Sequence, residues 1–149
     1  MGSWKQKLVA ALTAVWMADG AAAQNWPNLD PLLFATLTQS GTAVATYWLP
    51  DDIDAARATQ AIGIAYEHIP GSAGSAGIAL GHYVRTGNIW QFVRPIEGVF
   101  GQQPRDAQFG PGWAEITTLM QGPNDARCCP TMPTRWRIDL TRGTGVERP

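Results

Sequence analysis

The chain has 149 residues, 45 % of them hydrophobic and 15 % charged, with a formal net charge of −1. That is enough for one domain with a real core and too little for two, and it offers no clustered basic surface for nucleic acid or an anionic membrane. The only lysines are Lys5 and Lys7, so Schiff-base and P-loop lysine chemistry are excluded from the rest of the chain.

Those two lysines precede an apolar run of eleven residues, Leu8–Ala18, and Ala21 and Ala23 then form an Ala-x-Ala pattern before Gln24. This order predicts a secretory signal peptide over residues 1–23, cleaved after Ala23. The run falls short of the roughly 20 residues needed to cross a bilayer, and no cysteine follows it to carry a lipid. Residues 24–149 are therefore expected as one periplasmic or secreted domain with no membrane attachment. They hold nine arginines against eleven carboxylates, a net of −2.

"NLDPLLFATLTQSG" predicts a short helix, with Asp30 as cap, Pro31 in the first turn and Gly41 just past the end. Leu33, Phe34 and Leu37 would share its packing face. A second helical turn or two is expected in "PDDIDAARATQA", capped by Asp51 or Asp52. From there the period becomes two. "AIGIAYEHI", "GIALGHYVR", "NIWQFVRPIEGVF", "AEITTLMQG" and "RWRIDL" alternate apolar with small or polar residues, most cleanly in the last, where Trp136, Ile138 and Leu140 oppose Arg135, Arg137 and Asp139. The "GSAGSAG" segment (71–77) is a glycine-rich loop between the first two runs, "RTGN" a tight hairpin, and Pro95 marks an edge, bulge or break. The expected fold is mainly β (α+β): a five-stranded antiparallel meander with the short N-terminal helix packed on one face.

Three patterns resemble catalytic or metal sites and fail on spacing. Ser75 in "AGSAG" lacks the following helix of a nucleophile elbow. Counted from Asp52, an EF-hand loop would place Arg57 where a glycine belongs and Gly63 where a glutamate belongs, so Asp51, Asp52 and Asp54 fit a carboxylate-rich helix start instead. If residues 70–76 close a hairpin, His68 faces Ile78 and His82 faces Ile64, four residues apart along a strand or ~13 Å. That is too far for one ion.

The distinctive stretch is "GPNDARCCPTMPTRW" (122–136), which holds both cysteines. Adjacent Cα atoms lie ~3.8 Å apart across a trans peptide, below the usual disulfide range of ~4.4–6.8 Å, so a Cys128–Cys129 bridge needs a tight, braced turn. Pro123, Asn124 and Asp125 supply one, and Pro130 holds Cys129 out of helix. An oxidising compartment would form the bond, and no other cysteine competes. Such a bridge closes almost no loop, so its value is local: a fixed turn and a rigid sulfur surface. The alternatives are thiol-redox chemistry, with Arg127 and Arg135 as neighbouring cations, and a soft-metal, copper-handling site from Cys128, Cys129 and Met132.

"QGPNDARCCPT" followed by "TRWRIDL" resembles a signature of uncharacterised exported bacterial proteins, in which Gly-Pro-Asn-Asp, a vicinal Cys-Cys-Pro and a final alternating strand close the domain. The similarity reaches back to about Trp48 and includes the glycine-rich hairpin loop. It implies an exported β domain, with no activity, cofactor or substrate attached.

In a two-residue hairpin register Tyr83 lies opposite Phe92 and Arg85 opposite Trp90. This aromatic face either packs beneath the N-terminal helix or, left open, forms a platform for an envelope glycan or peptide. The expected function is a small non-catalytic domain, structural or ligand-binding, with a vicinal disulfide turn.

Overall fold

The computed structural model describes residues 25–149. The expected signal peptide therefore lies outside the described residues. Helix α1 (Asp30–Leu37) is followed by eight strands: β1 (Ala45–Pro50), β2 (Gln60–His68), β3 (Ala76–Thr86), β4 (Ile89–Ile96), β5 (Gln102–Gly110), β6 (Trp113–Met120), β7 (Met132–Asp139) and β8 (Thr144–Arg148). They form two four-stranded antiparallel meanders, β1-β2-β3-β4 and β5-β6-β7-β8. The β character and the short helix are as expected; the single five-stranded sheet is not.

The two sheets pack face to face. Ile62, Ile64, Tyr66, Leu80 and Ile96 of the first sheet share one buried cluster with Ala114, Ile116, Trp136 and Ile138 of the second. One edge is closed where Glu97, just past β4, forms an isolated bridge with Thr144 of β8. The chain changes sheets at Phe100–Gly101, held from both sides: the Tyr66 hydroxyl donates to the Gly101 carbonyl at 2.8 Å and the Thr118 hydroxyl to the Phe100 carbonyl at 2.7 Å. Trp136 Nε1 donates to Thr118 Oγ1 at 2.8 Å and completes the chain. Gly101 has φ +101°, and a Cβ there would stand 2.5 Å from Thr118 Oγ1.

A second core lies on the outer face of the first sheet, under α1. Leu33, Ala61, Tyr83 and Trp90 are buried there, with Trp26, Leu37, Trp48 and Phe92 packed around them. Gly63 and Gly81 are cross-strand partners, and the missing side chains make the trough for the helix. A Cβ on Gly63 would meet Leu33 Cδ2 at 2.5 Å, and one on Gly81 would meet Leu37 Cδ2 at 3.0 Å. Leu33 and Leu37 face this trough, whereas Phe34 is not part of the cluster. Asp30 is not the cap: Leu29 holds that position, Asn28 Oδ1 accepts the Asp30 amide at 3.1 Å, and Asp30 instead accepts from Thr46 Oγ1 at 2.8 Å.

Two local expectations change. Residues 51–59 form a loop with one turn, closed by the Ala58 amide on the Asp54 carbonyl at 2.9 Å, and no helix. Asp51 accepts from Thr59, Asp52 from the Asp54 amide and the Arg57 guanidinium, and Asp54 from the Ala56 amide. Short acidic side chains bonding backbone two residues on favour turns over helix. The β2–β3 hairpin pairs Ile62 with His82 and His68 with Ala76, two residues from the expected register. The loop 69–75 closes one residue earlier, through the Ile69 amide on the Ser75 carbonyl at 2.9 Å. An even slip keeps every side chain on its own face.

Candidate groove at the open end of the sandwich

The β6–β7 connection is two consecutive turns around one carboxylate. The Asp125 amide donates to the Gly122 carbonyl at 3.2 Å, and the Cys129 amide to the Ala126 carbonyl at 2.9 Å. Asp125 Oδ2 accepts the Gly122 and Thr131 amides, both at 2.7 Å, and Oδ1 accepts the Thr131 hydroxyl at 2.8 Å. One side chain thus ties the two ends of the loop together. These donors, the Gly122 amide first, hold the Asp125 carboxyl below its ordinary range. The expected turn over Pro123 and Asn124 is present, and the bracing comes from Asp125 rather than from the prolines alone.

Cys128 and Cys129 form the vicinal disulfide, with Cα atoms 3.8 Å apart. Both cysteines and Arg127 are exposed, and Pro130 is partly buried. Neither sulfur is a free thiolate in this form, so a copper site with Met132 first requires the bridge to open. Among the described residues, no group of three or more His, Cys, Asp or Glu stands close enough to hold a metal ion. Arg135, the other expected neighbour of the sulfurs, is drawn away to the outer face of the second sheet. There Glu115 accepts from Arg135 at 2.8 Å and Arg137 at 2.9 Å. These guanidinium bonds, Arg137 first, pull the Glu115 carboxyl below its usual value.

Arg127 and Cys128 form one rim of a groove of about 1150 Å³. Its other walls are Val44, Ala45 and Tyr47 of the β1 end, Tyr66, the loop residues Ala73–Ile78, and Phe100–Gln103 entering β5. The glycine-rich loop and the disulfide turn, far apart in sequence, therefore line the same groove. Its aromatic surface is built by Tyr47, edge-on to Tyr66 at 5.9 Å, and by Phe100, which rests edge-on against the buried Trp136 at 6.0 Å. Phe100 is 56 % exposed. Gln103, which lines the groove, holds φ +50°, a left-handed conformation that costs a residue with a side chain ~1–2 kcal/mol, and the β5–β6 register shifts across it. Concave apolar space with a few convergent polar groups is a common ligand position. Among the described residues no histidine or carboxylate lines the groove, so these residues supply no acid–base pair of the kind that activates a nucleophile.

The aromatic residues expected as a platform are brought together in the expected register, Tyr83 opposite Phe92 and Arg85 opposite Trp90. The β3–β4 register shifts between His82, opposite Arg94, and Tyr83, opposite Phe92, next to Pro95 on the edge strand β4. Tyr83 is 0 % and Trp90 8 % exposed, because α1 and Trp26 lie over them. The Tyr83 hydroxyl bonds Thr36 Oγ1 at 2.6 Å, and burial pushes it up to about 12. Arg85 lies 6.0 Å over Trp90 and donates to the Ala56 carbonyl at 2.7 Å. Two depressions reach this cluster from solvent, one of about 480 Å³ against Trp26, Leu33 and Trp48, and one of about 310 Å³ lined by Asn25, Asp54, Arg85 and Trp90 among others.

Tyr47, Tyr66, Ile78 and Phe100 were not legible as site residues. The signal available was weak: aromatic residues at the ends of apolar runs, with nothing to show that those ends converge. No model of a known family, no curated protein and no solved structure matches the chain.

Proposed function

We propose that the protein is a small exported, non-catalytic binding domain whose ligand occupies the groove between the β1 edge and the disulfide-tipped β6–β7 loop. One observation carries this reading: the two segments singled out by sequence, "GSAGSAG" and "ARCCP", meet on one aromatic-lined groove that holds no acid–base pair among the described residues. The vicinal disulfide acts there as a fixed, apolar contact. Export rests on Lys5, Lys7, the apolar run and the Ala-x-Ala pattern before Gln24, and oxidation of the cysteines follows from the compartment.

Native mass spectrometry of the protein purified from the periplasmic fraction tests all three parts. The expected chain begins at Gln24, is two hydrogens lighter than the dithiol, resists alkylation until reduced, and carries a non-covalent ligand that Phe100→Ala loses. A chain retaining residues 1–23, or thiols alkylated without reductant, would overturn export with oxidation. Loss of the same ligand from a variant on the α1 face, and not from Phe100→Ala, would move the site elsewhere.

A thiol-redox role is the second reading, favoured by the exposure of both cysteines beside Arg127. Equilibration in glutathione buffers separates the two. A potential below about −300 mV marks a structural bond, and one near the values of exchange catalysts, about −120 to −270 mV, marks a redox element.

A further inference from the structure

From residue 24 onward the chain has nine arginines and no lysine, and their partners differ in a telling way. Arg57 is paired with Asp52, Arg105 with Asp106 and Arg142 with Asp139, while Arg135, Arg137 and Arg148 gather on Glu115. Arg85 and Arg94 donate to backbone carbonyls, those of Ala55, Ala56 and Thr141. Among the described residues Arg127 alone has neither an ion pair nor a hydrogen bond. The nearest carboxylate in sequence, Asp125, is already occupied by three donors of its own loop. Among the described residues Arg127 is also the one charged residue lining the groove.

We infer that the groove takes a small amphipathic monoanion: a flat apolar body against Tyr47, Phe100 and the Cys128 sulfur, with its one anionic group on the Arg127 guanidinium. This rests on the groove being the binding site and adds the class of ligand. A guanidinium is the side chain best matched to a planar oxyanion, which it meets through two parallel N–H donors. An aromatic wall beside it favours a flat body over a flexible chain. A neutral ligand would leave the cation without a counter-charge, and a dianion would bring a second charge into a lining whose described residues hold no other cation.

The probes are 1-anilino-8-naphthalenesulfonate, an aromatic monoanion, and N-phenyl-1-naphthylamine, its uncharged counterpart. Fluorescence titration of the folded, oxidised chain is expected to show both binding, the anion more tightly. Arg127→Gln should weaken the anion by about tenfold, the scale of one charge-assisted contact, and leave the neutral probe unchanged. Arg142→Gln, on an exposed pair outside the groove, should alter neither. Phe100→Ala should weaken both. If both probes bind and Arg127→Gln changes them equally or not at all, the anion inference is wrong while the groove stands. If neither binds, or Phe100→Ala affects neither, the groove itself is not the site. Circular dichroism of each variant distinguishes lost affinity from lost fold.

Discussion

Asp125 bonds residues on both sides of the loop it stands in, and its charge state decides whether that loop keeps its shape. Its folded value is depressed by the Gly122 and Thr131 donors. The contribution is therefore complete above the ordinary carboxyl value of ~3.9 and is lost as pH falls through the lowered folded value. The protection of amides across 121–131 relative to their intrinsic exchange should hold down to about pH 4 and fall below it, while β2 and β6 keep theirs. Asp125→Ala should show the same local opening at neutral pH, with weaker probe binding in the groove. Unchanged exchange in that variant would mean that Pro123 and Pro130 hold the turn without it. At the centre of the sandwich, Trp136→Phe removes the donor to Thr118 and should cost about 1–3 kcal/mol, the penalty for a buried group losing its partner, read from denaturant unfolding.

At the scale of elements, α1 sits where two glycines oppose each other across β2 and β3. Gly63→Ala drives a methyl into Leu33 and Tyr83 and should cost about 1–3 kcal/mol, as overpacking of a filled core does, with α1 displaced first. A neutral effect would show that the helix rests on the sheet more loosely than its packing implies. Five of the eight strands were legible because their apolar alternation is clean: β2, β3, β4, β6 and β7 match the predicted runs. The other three were silent for separate reasons. β1 is partly buried along its whole length, so its residues do not alternate. In β5 the left-handed Gln103 and Asp106 shift the register twice, which scrambles any period of two. β8 is a short edge strand whose only large apolar residue, Val146, is 62 % exposed. The site was half legible. The two loops stood out in the sequence, but their meeting depends on the change of sheet at Phe100–Gly101, which no local pattern announces.

For the molecule as a whole, two meanders packed face to face place the disulfide loop at an end, outside both cores. Replacing both cysteines by serine should leave unfolding within about 1 kcal/mol of the parent, since a bridge between neighbours barely restricts the unfolded chain. Global unfolding of that variant would show that the loop supports the sandwich. His82 gives the fold a mild acid sensitivity. It is 8 % exposed, bonds Gln60 Oε1 at 3.2 Å, and has its value lowered by burial first and then by Arg94. The unfolded chain thus binds the proton more readily, so stability falls as pH drops below ~6.5, a slope that His82→Gln should remove. The central claim is that the open end of the sandwich, with the disulfide on its rim, is where this protein binds. The most direct measurement is amide chemical-shift mapping of the oxidised chain titrated with 1-anilino-8-naphthalenesulfonate. Shifts confined to residues 44–47, 73–78, 100–103 and 127–128 are the predicted result; shifts centred on α1 and the Trp26–Trp48–Trp90 cluster would contradict it.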